Sequence, residues 1–202
     1  MNSSILYIHG LNSSPASTKA SQLLKVAEHC GIERHLRVPA LHHHPRQAMQ
    51  QLQAAIAELG RPLLVGSSLG GYYATHLAQQ HGLDAVLINP AVRPNRLFGG
   101  QEVEQTNHYT GETWLLTHDH VAALRELEVA EPRDAARYAV WLQTADETLD
   151  YRQAEAFYEG CTLDIRQGGD HSYQGFAARI PEILARAGFA PALWADFDFS
   201  TL

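Results

Sequence analysis

The stretch Leu63-Leu64-Val65-Gly66-Ser67-Ser68-Leu69-Gly70-Gly71-Tyr72-Tyr73 decides the fold class that the sequence predicts. An apolar run enters a cluster of small residues, and a segment typical of a helix follows it. Of the two serines, only Ser68 is in register with Gly-x-Ser-x-Gly, the pattern in which a sharp strand-to-helix turn exposes a nucleophilic hydroxyl. The helix N-terminus after such a turn offers free N–H groups to a developing oxyanion. The context favours a nucleophile at Ser68 over a purely structural Gly/Ser turn.

Composition indicates a soluble globular protein. The 202 residues are 45% hydrophobic and 18% charged, with a formal net charge of −7, which disfavours a nucleic-acid or anionic-membrane surface. No apolar run approaches the length of about eighteen residues that spans a bilayer, and residues 1–4 contain no basic residue. Cys30 and Cys161 match no metal or redox spacing. We therefore expect buried free thiols and a cytoplasmic protein.

Short apolar runs alternate with amphipathic segments along most of the chain. The predicted strands lie at 5–8, 36–38, 62–65, 84–90, 138–143 and 162–166, and helices are predicted at 17–28, 45–59, after Ser68, at 151–158 and at 173–187. Ser17 is a plausible N-cap of the first helix. Strands and helices alternating at this spacing indicate an α/β fold, with a mostly parallel sheet and helices on both faces.

The alternation breaks between about residues 93 and 133. This region contains turn-forming stretches at 93–95 and 98–100, polar segments and one helical candidate, His118 to Leu127. A long, weakly patterned insertion in a compact domain is typical of a lid. We interpret residues 93–133 as a small cap over the site, within a single domain spanning residues 1–202. The aromatic-rich tail from Gly188 to Leu202 has no clear partner in the pattern.

Two further residues complete a candidate site with Ser68. A serine hydroxyl needs a base to accept its proton and a carboxylate to orient that base, and doubly wound hydrolases carry them in the order serine, acid, histidine. Asp146 follows the strand that ends at Gln143, and His171 follows the last predicted strand. Asp146 is the predicted acid and His171 the predicted base. Asp150 is a reserve acid, although N-capping of the next helix is its favoured role.

An oxyanion hole requires two backbone N–H groups directed at one point. One is expected from Leu69, which follows the nucleophile, and the other from Leu11 in the loop after the first strand, with Asn12 as its neighbour. Gly10 allows the backbone there to approach a substrate closely. A structural role is favoured for His9.

Six ordered motifs of this chain resemble those of the YqiA-like bacterial esterases, a compact branch of the α/β-hydrolases. The motifs lie at 9–15, 66–74, 89–94, 109–111, 146–152 and 169–171. The resemblance runs from the first strand to about residue 187 and implies a cytoplasmic carboxylic-ester hydrolase with a serine nucleophile, no metal and no organic cofactor. We expect its substrate to be a small acyl ester or thioester. Ser68, Asp146 and His171 match the family's nucleophile, acid and histidine positions.

Other functions remain open at this level. An acyl-CoA thioesterase or another thioesterase would use the same three residues, and a non-catalytic binding protein could keep the same fold. The complete serine, acid and histidine set argues against a binding protein. A peptidase is less favoured, and so is a haloalkane dehalogenase, which would ordinarily have a carboxylate in place of Ser68.

Two histidine-rich stretches could be taken for metal ligands. His42-His43-His44 favours a solvated loop, because adjacent residues of an extended segment point in different directions. In His118-Asp119-His120, the favoured role of Asp119 is to cap the helical candidate. Arg93 could hold an anionic substrate group, but a surface or structural ion pair is favoured.

Overall fold

A six-stranded parallel sheet forms the centre of the computed structural model, which describes residues 3–98 and 101–202. The strands in chain order are β1 (Ile5–Ile8), β2 (Leu36–Arg37), β3 (Leu63–Ser67), β4 (Ala85–Ile88), β5 (Val103–Thr106), β6 (Thr113–Leu116), β7 (Tyr138–Gln143) and β8 (Thr162–Arg166). The sheet has the order β2-β1-β3-β4-β7-β8, and all of its pairings are parallel. This confirms the predicted parallel sheet.

Helices cover both faces of this sheet, as predicted. They are α1 (Thr18–His29), α2 (Pro45–Leu59), α3 (Leu69–His81), α4 (His118–Glu126), α5 (Tyr151–Phe157) and α6 (Ile180–Arg186). Successive side chains of a strand point to opposite faces of the sheet, so each buried strand contributes apolar side chains to the layers on both faces. Leu6 and Val140 pack in the layer shared with α2, α3 and α5, whereas Tyr7 and Trp141 pack in the layer shared with α1 and α6. Because apolar layers pack against both faces of the sheet, the strands are held in place, and so are the loops at their carboxyl ends that carry the site.

The segment from 93 to 133 contains an element that the pattern did not predict. β5 and β6 pair as an antiparallel hairpin outside the main sheet. Along β6, Trp114 and Leu116 are buried while their neighbours are exposed, which is the alternation of a strand with one covered face. The helical candidate is confirmed as α4. Gly99 and Gly100, which are part of a predicted turn, lie outside the described residues.

The C-terminal region differs from its prediction in two ways. The helix predicted to begin at Tyr173 begins at Ile180 instead, because Tyr173 has a φ of 64° and a 3-10 turn occupies Phe176–Arg179. The aromatic tail does have a partner. Trp194 is buried against the α1 and α6 layer, and Gln22 of α1 donates a hydrogen bond to the Leu202 carbonyl at 3.0 Å.

Cys30 and Cys161 are free thiols, as predicted, but both are partly exposed, whereas the prediction had them buried. Within the described parts of the chain, no helix combines the length and apolarity needed to cross a bilayer.

Candidate active site

Ser68 occupies a strained turn between β3 and α3. Its backbone has a φ of 56° and a ψ of −121°, a conformation that residues other than glycine seldom adopt. The turn is tight because its glycines touch neighbouring backbone. A Cβ on Gly66 would lie 2.4 Å from the Gly70 carbonyl oxygen, and a Cβ on Gly70 would lie 2.0 Å from the Ile8 carbonyl oxygen. The spacing of the motif is therefore a steric requirement of the turn.

The structure brings Ser68, His171 and Asp146 together in one hydrogen-bonded chain. His171 Nε2 lies 2.9 Å from Ser68 Oγ, and His171 Nδ1 lies 2.8 Å from Asp146 Oδ2. The carboxylate beside Nδ1 favours the tautomer with its proton there, which leaves Nε2 free to accept from the serine hydroxyl. The histidine side chain is 21% exposed and that of Asp146 only 2%. The arrangement shields the carboxylate while it keeps the serine and histidine accessible.

Asp146 is held in place by its own loop. Its Oδ1 accepts hydrogen bonds from the backbone N–H groups of Thr148, at 2.9 Å, and Leu149, at 2.8 Å. Asp150 lies outside the hydrogen-bonded chain and caps α5 by accepting from the Arg152 N–H. Of the two nearby carboxylates, Asp146 is thus the one in contact with His171, and Asp150 is the one that caps a helix.

The two candidate oxyanion donors belong to residues near the serine, one next to it in the chain and one brought close by the loop after β1. Leu69 is the first residue of α3, and Leu11 follows Gly10, whose ideal Cβ position is 3.6 Å from Ser68 Oγ. Within the described part of the chain, neither the Leu69 nor the Leu11 N–H has a hydrogen-bond partner. Both N–H groups are thus unpaired among the described residues. The His9 ring instead forms hydrogen bonds to backbone groups: Nδ1 lies 3.0 Å from the Gly10 carbonyl oxygen, and Nε2 accepts from the Leu41 N–H.

The loop that carries His171 is held by two buried amide side chains whose roles the sequence analysis missed. Gln143, the last residue of β7, accepts from the N–H groups of Asp170 (3.1 Å) and Gln174 (2.9 Å) and donates to the Gln174 carbonyl (2.8 Å). Asn89, after β4, donates to the carbonyls of Asp170 and His171 at 3.0 and 3.3 Å. Polar residues at the ends of otherwise apolar strands are the only local signal for these roles.

The two histidine-rich stretches meet in space, contrary to the prediction of a solvated loop. His43 Nδ1 lies 3.2 Å from His120 Nε2, and the His43 ring stacks on Trp114 at a centroid distance of 4.6 Å. Asp119 does not cap α4, because Thr117 and His120 form a capping box there while Asp119 pairs with Arg46 at 2.9 Å. No set of three or more His, Cys, Asp or Glu side chains among the described residues is arranged to hold a metal ion.

Arg93 forms the ion pair that the sequence favoured. Its Nε lies 3.3 Å from Glu128 Oε1, which links the start of the 93–133 segment to the residues after α4. Arg96 approaches the same carboxylate at 3.9 Å. Arg93 therefore has its ion-pair partner within the segment itself.

A family profile matches nearly the whole of this framework. The description of the profile is "Uncharacterised protein family (UPF0227)", and the match covers residues 4–187. The chain belongs to the UPF0227 family. This agrees with the resemblance to YqiA-like proteins, and the match ends where the tail begins. A UPF0227 protein of Shewanella woodyi is 27% identical over 192 residues, which cover 90% of this chain and 97% of the relative.

Solved structures similar to this chain share the α/β-hydrolase fold. Mouse alpha/beta hydrolase domain-containing protein 10 superposes with a TM-score of 0.70 at 14% identity, covering 91% of this chain and 88% of that one. The monoacylglycerol lipase of Paleococcus ferrophilus gives a TM-score of 0.61 at 15% identity, with 90% and 94% covered. At these identities the similarity shows the fold, and the chemistry must be argued from the site.

Proposed function

We propose that this protein is a serine esterase that hydrolyses carboxylic esters of small acyl groups through an acyl-enzyme intermediate. The observation that carries the proposal is the hydrogen-bonded chain from Ser68 Oγ through His171 to Asp146, set on a positive-φ turn. A purely structural serine needs neither that backbone strain nor a buried carboxylate behind its histidine.

In the proposed reaction, Ser68 Oγ attacks the ester carbonyl carbon while its proton passes to His171 Nε2. The carbonyl oxygen becomes an oxyanion and accepts hydrogen bonds from the Leu11 and Leu69 N–H groups. His171 Nε2–H then protonates the departing alkoxide, which leaves as the alcohol. A water molecule, deprotonated by Nε2, attacks the acyl-enzyme and releases the acid, and the proton returns to Ser68.

Asp146 remains ionised through both steps. Its carboxylate stabilises the imidazolium that forms twice in each turnover, and the two N–H groups that it accepts from keep it oriented toward Nδ1. Asp146 therefore sets both the tautomer and the orientation of His171.

The test is hydrolysis of p-nitrophenyl esters from acetate to laurate by the wild type and by Ser68→Ala. We expect turnover that declines with acyl length and falls on the order of 10⁴-fold or more in the variant. Ser21→Ala is the matched control, since Ser21 lies on α1 away from the hydrogen-bonded chain. Equal activity in Ser68→Ala and Ser21→Ala, with both folded, would refute the proposal.

We further propose that the 93–133 segment acts as a cap through the hairpin β5–β6. Trp114 Nε1 donates to Asn12 Oδ1 at 2.9 Å, and Asn12 Nδ2 donates to Gln105 Oε1 at 2.8 Å. The hairpin is thus tied to the loop that supplies the Leu11 donor. Trp114→Phe keeps the aromatic stack and removes one donor, and we expect kcat/KM to fall several-fold while the melting temperature changes little. Unchanged kcat/KM for every acyl length would contradict the cap role.

A further inference from the structure

A polar cavity adjoins the candidate active site between the start of α1 and the segment that follows His171. Its volume is about 270 Å³, and its lining includes Gly10, Ser13, Lys19, Tyr109, Ser172 and Gln174. Gly10 connects it to the nucleophile, because the ideal Cβ position of Gly10 is only 3.6 Å from Ser68 Oγ. Tyr109, from the turn of the hairpin, also lines it. The cavity is close enough to receive another part of a molecule bound at Ser68.

One charge defines the chemistry of this cavity. Among the described residues that line it, Lys19 is the only one with a Lys, Arg, Asp or Glu side chain, and the remainder offer hydroxyl, amide, imidazole and backbone groups. The Lys19 ammonium donates to the Ser172 carbonyl at 2.6 Å, and in the described part of the chain no carboxylate forms an ion pair with it. An ammonium has three N–H donors. Two of them are therefore available to a ligand.

Lys19 is only partly exposed in this position. Burial lowers the pKa of Lys19 to about 8, although the longer-range fields of Asp170 and Asp146 raise it. The ammonium form still predominates at pH 7. A bound anion would restore the stabilisation that the group lost on leaving water.

We infer that this cavity binds a carboxylate carried by the ester substrate, with Lys19 as its specificity-determining cation. The inference rests on the proposed esterase function and specifies its substrate class as esters that also carry a free, ionised carboxylate. A monoanion matches the single charge of Lys19. A dianionic phosphate would leave excess negative charge near Asp146 and Asp170, and no second cation lines the described cavity to offset it.

The test uses two matched pairs of substrates. The carboxylate lies in the acyl part of mono-(4-nitrophenyl) adipate, with methyl 4-nitrophenyl adipate as its neutral partner. It lies in the leaving group of 4-acetoxybenzoate, with methyl 4-acetoxybenzoate as its neutral partner. We expect the wild type to prefer the acid over its neutral partner in kcat/KM by roughly tenfold in at least one pair.

Two variants separate the charge of Lys19 from its bond to the His171 loop. Lys19→Gln keeps a donor for the Ser172 carbonyl but loses the charge, whereas Lys19→Arg keeps the charge. The acid-to-neutral ratio should fall to about one in Lys19→Gln and persist in Lys19→Arg. In the wild type the ratio should decline as the pH rises above about 8, where Lys19 loses its proton.

Turnover of the neutral esters reports the proposed function separately. Neutral esters hydrolysed with no preference for either acid, or with the same preference in Lys19→Gln, would overturn the carboxylate site and leave the esterase standing. If the folded wild type hydrolysed none of the four substrates, or if Ser68→Ala hydrolysed them as fast as the wild type, both the carboxylate site and the esterase function would be overturned.

Discussion

Gly169 and its neighbour Gly168 offer a test of how the His171 loop is held. Both have left-handed backbones, with φ values of 77° and 80°. A Cβ on Gly169 would lie 2.0 Å from Gln143 Oε1, whereas a Cβ on Gly168 would meet nothing within 4 Å. Either change to alanine carries a backbone cost of roughly 1–2 kcal/mol. Only Gly169→Ala must also displace the amide that binds Asp170 and Gln174.

The additional cost can be worked from the contacts. Displacing the Gln143 side chain removes three hydrogen bonds to partly exposed loop groups, each worth about 1 kcal/mol. The free energy of unfolding of Gly169→Ala should therefore be about 3 kcal/mol lower than that of Gly168→Ala. In a chain of this size that difference lowers the melting temperature by roughly 6–12 °C. A loosened His171 should reduce kcat for p-nitrophenyl acetate by about 10²-fold.

Thermal unfolding and ester kinetics of the two variants, side by side, provide the measurement. In a Gln143→Ala background the clash partner is gone, so Gly169→Ala should cost no more than Gly168→Ala. If the two glycine variants matched in both stability and kcat, the reasoning would be refuted. A difference in stability alone would show that Gln143 is structural and does not position His171.

Two further predictions test neighbouring parts of the structure. Asp146→Asn should reduce kcat on the order of 10⁴-fold, whereas Asp150→Ala should lose about 1 kcal/mol of stability as a helix cap and keep its activity; steady-state kinetics and urea unfolding separate the two. Burial, together with His44 and His43, lowers the pKa of His120 to about 4. Below about pH 6.5 this imidazole is therefore protonated in the unfolded chain but stays neutral in the folded protein until the pH approaches 4. Stability should therefore fall as the pH drops from about 6.5 toward 4, by on the order of 2 kcal/mol at pH 5. His120→Asn should flatten that part of the melting-temperature profile, and an unchanged profile would contradict the assignment.

The central sheet could be predicted from the sequence because its signals are local. Buried parallel strands are continuous apolar runs, and β1, β7 and β8 were predicted with the bounds that the structure gives them. Serine, acid and histidine could be placed near one another because the carboxyl ends of parallel strands share one edge. The glycine spacing around Ser68 is a short motif that a sequence records directly, although the contact that requires glycine at position 70 comes from the Ile8 carbonyl oxygen of β1.

Features that depend on distant contacts could not be predicted in the same way. β5 and β6 are short, and only one face of β6 is buried, so their alternation is weak against the polar background. The stacking of His43 on Trp114 joins residues that are 71 positions apart, and each stretch by itself is typical of a solvated loop. The left-handed backbone of Tyr173 prevents the last helix from beginning there, and nothing in its side chain indicates this.

The His171 loop shows why its position must come from the core. Gly168, Gly169 and Tyr173 all have positive φ, so this segment cannot pair as a strand or wind as a helix. Its backbone groups need other partners, and buried Gln143 and Asn89 supply them from the ends of β7 and β4. Asn89 Oδ1 also accepts from the Gln143 N–H at 3.0 Å, which couples the two amides. The irregular loop is thereby positioned by residues at the ends of two strands. A substitution of either amide should shift His171 and so alter its hydrogen bond to Ser68.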